Sequence, residues 1–451
     1  MRLINKFLVS HVIAITLCSG PGLAQVPKTP GAAVRIRRAP RVKAPVIVPQ
    51  RPQIDVLNVP QDPFDPDLRD ALLLALDRSP AINAAKTEAQ AAGVDVRAAN
   101  WQRAPTISVQ GNYFAVQGGE PSHTAPTVSV DLVLWNAGRT EAGVERASAG
   151  RKAAEARLIE AQLDVALQLV AQFHEYKRLT ERIRIMDRDL NDMLSMQQSM
   201  QRRSEQGISP NSDLELAKTR TLQVRMMRDA VVAQRQAALR RLRELVIDPD
   251  FQASEKPLAG GFWLKANLDD LIDLSDAFDP HRRRLDAEAA MALADAKAAS
   301  ATRFPSVGVE YSYDDIYRHR VGLVVRAQAT GLSEFVAARA SSLRATAANQ
   351  KVDTALHDLR AQVASDYIDY TSALSRLDVA EASSRSTDEV RDSYMRQFTA
   401  GKRTWLDVMN AVREAMSARL DSVDLKYQAA LMQTRLLIRL GIMPTENTRQ
   451  N

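Results

Sequence analysis

Two periodicities divide this chain. Four short runs alternate apolar and polar residues, and the stretches between them repeat their apolar positions every three to four residues or every seven. The alternating runs are Thr106 to Val116, Val128 to Trp135, Ser306 to Tyr317 and Val321 to Ala327. In the third, Val307, Val309, Tyr311 and Tyr313 share one face, and Gly308, Glu310, Ser312 and Asp314 the other. In the fourth, Val321, Leu323, Val325 and Ala327 continue the apolar series. Each run is about ten residues, the length of a tilted strand crossing a membrane. The tyrosines and Trp135 stand where an interfacial girdle would put them. A soluble pair of hairpins has the same alternation, so the runs alone do not decide between the two.

The remaining pattern is helical. Stretches from Leu68 to Trp101 and from Arg282 to Thr302 each run toward a proline, which lacks the amide a helix needs to continue. Leu332 to Ala400 holds neither glycine nor proline and as one helix would reach roughly 100 Å; Arg151 to Gln206 is similar. Each long stretch meets a glycine turn, Gly207-Ile208-Ser209-Pro210 or Gly401-Lys402-Arg403-Thr404, and is followed by an unbroken return, Asn211 to Asp248 or Lys402 to Leu440. Along the last, Met409, Met416, Val423, Ala430 and Leu437 recur every seven residues, with Leu406, Leu420, Tyr427 and Thr434 beside them. Such a seam packs helix on helix, and Arg413 interrupts it.

These parts occur twice. Pro80 and Pro280, Pro105 and Pro305, and Tyr113 and Tyr313 lie at one common offset, which shortens later so that Gly138 answers Gly331 and Gly207 answers Gly401. A duplicated unit of this kind implies a function built by two copies together. Residues 67–248 read as the first repeat, 249–279 as a connection, 280–443 as the second repeat and 444–451 as a short tail.

Composition and charge set the surroundings. Residues 1–24 read as a secretory signal: Arg2 and Lys6, an apolar run from Phe7 to Leu17, and Gly22-Leu23-Ala24 before the cleavage point. The lone Cys18 falls inside it, preceded by Leu17, which does not suit lipidation, so the mature chain is expected to hold no thiol. Residues 25–66 form a proline-rich linker, and its basic residues suit acidic lipid headgroups, peptidoglycan or a partner, or else a solvated linker. Residues 1–54 carry nine Lys and Arg and no acid, which leaves a net −3 on the rest against the chain's +6. That balance argues against a nucleic-acid partner. His123, His174, His281, His319 and His357 are scattered without metal-ligand spacing, and no phosphate loop or catalytic constellation stands out. No enzyme, metal or cofactor is expected, and energy for any transport would come from a partner.

Two copies of helix, strand pair, long helix, turn and return helix resemble the TolC family of outer-membrane exit ducts, from about Asp67 to Met443. The passage from Gly401 through Trp405-Leu406-Asp407-Val408-Met409-Asn410-Ala411, continued by Ala418-Arg419-Leu420, Tyr427 to Leu431 and Leu440-Gly441, is similar to that family's last hairpin. Gly207 to Leu214 resembles the equivalent first turn, and Leu134-Trp135-Asn136-Ala137-Gly138 the strand-to-helix junction. The resemblance implies a mainly α protein with membrane β structure: a homotrimer giving four strands per protomer to a twelve-stranded β-barrel, continued by a long periplasmic α-helical tunnel. It implies an outer-membrane export duct in type I protein secretion or small-molecule efflux, partnered by outer-membrane lipid, a periplasmic adaptor and an inner-membrane ABC or proton-driven transporter. A periplasmic adaptor predicts one hairpin and a lipoyl-like domain; a soluble coiled-coil structural protein predicts no outer-membrane trimer.

The same resemblance assigns sites. Asp407 matches an aspartate that forms a ring of carboxylates at the tunnel entrance, where a cap at the helix start is the plainer reading. Asn410 takes the place of a second acidic ring and is neutral. Arg403, Ser212 and Asp213 match polar links that latch the two hairpins, and Phe398 replaces a tyrosine of that latch. Gly207, Ile208, Ser209, Gly401, Lys402 and Thr404 would form the tip turns that meet the adaptor, and Val307, Val309, Tyr311, Val321 and Leu323 would face lipid.

Overall fold

The computed structural model describes residues 60, 63–114, 123–258, 261–262, 264–314, 318–327 and 333–444. The signal at 1–24, nearly all of the linker and the end of the tail lie outside the described residues, as do 115–116 and 315–317 of the predicted strands.

The chain runs α1 (Pro66–Arg78), α2 (Pro80–Trp101), β1 (Thr106–Phe114), β2 (His123–Trp135), α3 (Arg139–Glu205), α4 (Asn211–Val246), α5 (Leu268–Phe278), α6 (Pro280–Ala301), β3 (Ser306–Asp314), β4 (Arg318–Arg326), α7 (Ser333–Thr399) and α8 (Trp405–Arg439). The sequence pattern joined Leu68 to Trp101; the structure breaks that helix at Ser79, because Pro80 has no amide for α1 to use and instead opens α2. Pro280 does the same between α5 and α6, whose cap Asp279 accepts from the amides of His281 and Arg282 at 3.1 Å. Helix α5, the counterpart of α1, therefore lies inside the segment read as a connection.

The four strands form one antiparallel sheet in chain order. β2 begins at His123 and β4 at Arg318, earlier than their alternation suggested. The register aligns the apolar residues across all four strands: Ile107 opposite Val130, Val130 opposite Tyr311 and Tyr311 opposite Val321, with Leu132, Val309 and Leu323 in the next row. Opposed residues share a face, so the sheet has one continuous apolar side. The other side is polar, and there the Arg326 guanidinium donates to both Asp131 and Glu310 at 2.6 Å. β2 slips register between Val133 and Trp135, and a Cβ added to Gly308 beside this bulge would lie 2.8 Å from the Leu132 carbonyl oxygen. Only glycine lets β3 approach there.

Helices α3 and α4 make one long hairpin and α7 and α8 the other. α3 packs against α2, α4, α6 and α8. Its Leu169, Val170, Phe173 and Met186 join Leu68 and Leu72 of α1, Leu242 of α4 and Met416 and Leu420 of α8 in the larger core. A smaller core gathers Leu264, Leu271 of α5, Val363 and Tyr370 of α7, and Leu436 of α8. Two titratable groups sit deep on α3. Lys177, 2% exposed, donates to Asp67 at 3.1 Å and to the Lys256 carbonyl at 3.3 Å. His174 reaches Thr434 at 3.2 Å, and complete burial, with Lys177 nearby, lowers its pKa to about 3. The α8 seam buries Met409, Met416, Leu420, Tyr427 and Leu437, while Leu406 is exposed and Trp405 takes its place in the core. Arg413 faces outward, so it does not break the packing.

Candidate functional site

The hairpin turns share one construction. Gly207 and Gly401 adopt φ of +69° and +71°, in the left-handed region. The amide of Ile208 donates to the Arg203 carbonyl and that of Lys402 to the Gln397 carbonyl, both at 2.8 Å. This 6→1 bond, with the glycine at the turn, closes a Schellman motif and accepts the last free carbonyls of each long helix. Ile208, Lys402 and Ser212 stand in solvent. α8 begins with a capping box: the Asp407 amide donates to the Thr404 hydroxyl at 3.3 Å, and the Thr404 amide returns the bond to Asp407 Oδ2 at 3.3 Å.

Asp407 is thus tied to its own helix start, and Arg403 lies 3.9 Å from the same carboxylate. Asn410 is exposed one turn further on. The expected latch links Arg403 with Asp213 of the same or a neighbouring protomer; within this protomer Arg403 turns to Asp407, donates to Gln397 at 3.3 Å and covers the Tyr394 ring at 4.3 Å, while Asp213 makes no ion pair among the described residues. All three of these partners lie on its own hairpin, within about two helical turns.

Within the protomer the two hairpins are bridged near the tip by a group that the pattern of charges did not reveal. The Arg203 guanidinium of α3 sits 4.8 Å from the centre of the Phe398 ring of α7, and Phe398 packs on buried Trp405 at 5.6 Å. Cation–π attraction of this kind favours a desolvated ring. The signal was available in the duplication, since Arg203 precedes Gly207 by the same four residues that separate Gln397 from Gly401.

Roughly 25 Å above the tip, charges cross between three helices. Asp189 of α3, fully buried, lies 2.8 Å from Arg419 of α8, off the line a hydrogen bond requires, and Arg419 also reaches Asp388 of α7 at 3.3 Å. Burial pushes the Asp189 carboxyl up, against the pull of Arg419. Farther up, Arg178 and Arg182 of α3 grip Asp424 of α8.

At the opposite end the exposed side chains are apolar. Val109, Val321 and Leu323 are among the most exposed large hydrophobic residues, whereas Val307, Val309 and Tyr311 are half-buried by their strand neighbours. Trp135 stands opposite Val307 at one edge of this apolar face, and Tyr313 stacks near His319 at the other, about 20 Å apart by strand rise. Among the described residues, no helix is long and apolar enough to cross a membrane and no cluster of His, Cys, Asp or Glu is arranged to hold a metal.

Residues 71–246 match the family described as outer membrane efflux protein. No curated protein sequence matches the chain significantly. Among solved structures, the outer-membrane channel OprN superposes with a TM-score of 0.75 at 18% identity, covering 89% of this chain and 98% of its own. The outer membrane protein VceC of Vibrio cholerae gives 0.75 at 18% identity, with 84% and 97% covered. The Campylobacter jejuni CmeC outer membrane channel gives 0.73 at 12% identity, with 96% and 97% covered. The chain has the fold of these outer-membrane channels along nearly its whole length, and its first repeat, residues 71–246, is similar to the outer membrane efflux protein family.

Proposed function

We propose that three copies of this chain form a passive exit duct, each giving four strands to a twelve-stranded barrel and four long helical staves to a periplasmic tunnel. One observation carries this reading. The sheet has a continuous apolar face, but β1 and β4 are open edges whose backbone groups have no partner strand among the described residues. An unpaired edge cannot persist in hydrocarbon, and closure by copies of the same sheet satisfies both edges at once. Helix α7 supports the reading, since Ile368, Val379 and Val390 point outward from the protomer where a neighbouring copy would cover them.

The duct has no energy source of its own on this reading. An inner-membrane transporter, ABC-type or proton-driven, would load it through a periplasmic adaptor docked on the Gly207 and Gly401 turns. Small toxic molecules suit the efflux family better than a secreted protein does, and that is the cargo class favoured here. The sheet is tested by cysteines at Val109 and Leu323, on β1 and β4, in a mature chain expected to lack other thiols. A short bifunctional thiol reagent should then link three copies into a covalent ring. Val309→Arg should cost about 2 to 4 kcal/mol near mid-membrane and abolish the outer-membrane trimer; wild-type trimer yield in that variant would overturn the barrel.

At the entrance, Asp407 would form a single acidic ring, with Asn410 adding no charge. Because each Asp407 is already engaged by Thr404 and Arg403, the potential well for a cation is shallow. Block of conductance by divalent or trivalent cations in planar bilayers should be weak and should vanish in Asp407→Ala. Strong block surviving that change would place the cation site elsewhere.

A further inference from the structure

The two repeats have different neighbours. Helices α6 and α8 each pack on both long helices, α3 and α7, whereas their first-repeat counterparts α2 and α4 pack on α3 alone of the two. The junction of one repeat with the next, α3 with α6 and α8, is therefore formed once in the protomer. Its repeat, α7 with α2 and α4, is not formed there, and both sides of it stand open.

The open sides carry matching chemistry. In the formed junction Arg146 of α3 pairs with Asp295 of α6 at 2.8 Å. Arg339 takes the Arg146 position by the offset of Gly138 and Gly331, and Asp95 takes the Asp295 position by the offset of Pro80 and Pro280. Both are exposed, and neither makes an ion pair among the described residues. One turn along the same antiparallel contact, a Cβ added to Gly150 would lie 3.7 Å from the Met291 sulfur. Their matches are Leu343 and Ala91, so the large and the small side chain change places between the two helices. An exchange of that kind keeps the pair close to constant volume. Arg146 with Asp295 is the one ion pair of α3 and α6 that carries over in full: Ala338 replaces Glu145, the partner of Lys297, and Ala81 and Ala84 replace His281 and Arg284, which hold Glu160.

Toward the tip, at the offset of Gly207 and Gly401, the match is apolar. Ile185 follows Arg178 by two helical turns on the α3 stripe that meets α8; it is 8% exposed, and its α7 match Val379 is 68% exposed. Leu420 lies one turn before Asp424 on the α8 stripe that meets α3; it is 6% exposed, and its α4 match Met226 is 68% exposed. The buried Asp189 is matched by Ser383, so its ion pair with Arg419 is not repeated.

We infer that α7 of one copy seats against α2 and α4 of the next, and that Arg339 paired with Asp95 of the neighbouring copy fixes the register of the two chains. The inference rests on the duct reading for its ring of copies, and adds which faces meet and which residues align them. The contact is head to tail, the kind that closes into a ring when its rotation allows. Its apolar stripe supplies area, and the lone charge pair selects one alignment along it.

The test places cysteines at Ala91 and Leu343 of the full chain and treats the purified protein with a bifunctional methanethiosulfonate reagent of short reach. The double variant should run as a covalent trimer on denaturing gels, and each single variant as a monomer. Arg339→Asp and Asp95→Arg should each lose the heat-resistant trimer at a temperature where the unaltered protein keeps it, because like charges then face each other across the contact. Combining the two reversals should restore it. Trimers that stay unlinked in the cysteine double variant overturn the seating, and a double reversal no better than either single change overturns the pairing. A failure of the unaltered chain to form any trimer overturns the duct reading instead, and that control needs no variant.

Discussion

Helices α3 and α7 are equal in length, at 67 residues each, and occupy matching places in the two repeats. Their surroundings are opposite. α3 is enclosed by five helices and buries Leu169, Phe173, Met186, Met193 and Met200 along most of its course, down to the last turns before the tip. α7 buries nothing beyond Leu377 among the described residues, and its distal turns present Val379 and Val390 to the outside. Duplication supplied two equal rods, and divergence made one the core of the protomer and left the other facing outward, where the proposed trimer would cover it. The difference shows in composition as well: the buried methionines of α3 give way in α7 to alanine and serine.

The strongest way to break this contrast is to unbalance the buried charge of α3. Asp189→Ala leaves Arg419 without its buried partner and should cost about 3 to 5 kcal/mol, read as a lowered denaturation midpoint. The double change Asp189→Leu with Arg419→Met should recover most of that loss. If the single change were neutral, the protomer core would not depend on α3 as described.

His174 gives a pH signature to the same helix. Its folded value of about 3 is below the ordinary 6.5, so the folded state stays neutral while the unfolded chain takes up a proton. The stability it holds is complete above pH 6.5 and falls as pH drops toward 3, by about 1.4 kcal/mol per unit. His174→Gln should flatten the acid limb of a stability–pH curve; an unchanged slope would mean that the imidazole is hydrated.

On α7 the effect should appear only on assembly. Val379→Asp, at an exposed site, should move protomer stability by no more than about 0.5 kcal/mol, yet weaken the heat resistance of the trimer on semi-native gels. Leu169→Ala on α3 should do the reverse and destabilise the protomer by about 2 to 5 kcal/mol. Equal behaviour of the two variants would erase the distinction between the rods.

The smallest change concerns the tip. Phe398→Ala removes the ring under Arg203 and should release about 0.5 to 1 kcal/mol, raising the open fraction of single channels more than Arg403→Ser does. The reverse ranking would return the latch to Arg403.

The sequence made the large features legible through period and repetition. Val307, Val309, Val321 and Leu323 alternate strictly, and the registered sheet aligns them. The glycines at 207 and 401 mark turns because few other residues tolerate positive φ. What stayed hidden depends on contacts between segments far apart in the chain. Nothing near Arg403 shows that within the protomer it turns to Asp407, since Asp213 is likewise an acid at the start of a return helix. Asp189 and Arg419 read as ordinary surface charges on helical stretches, and only packing reveals that both are enclosed. The break at Ser79 was written in Pro80, but the apolar pattern on either side continues in phase and masks it.

The contact between Arg203 and Phe398 has a consequence for how this junction of the hairpins responds to its medium. A carboxylate latch loosens when acid protonates it or when dissolved ions screen it. An aromatic ring has no proton to gain, and a guanidinium pressed against it stays charged at every physiological pH. A hairpin contact held in this way loses no charge and gains no proton on acidification. In the proposed duct, parting the hairpins would then fall to mechanical force on the two turns rather than to titration of a latch.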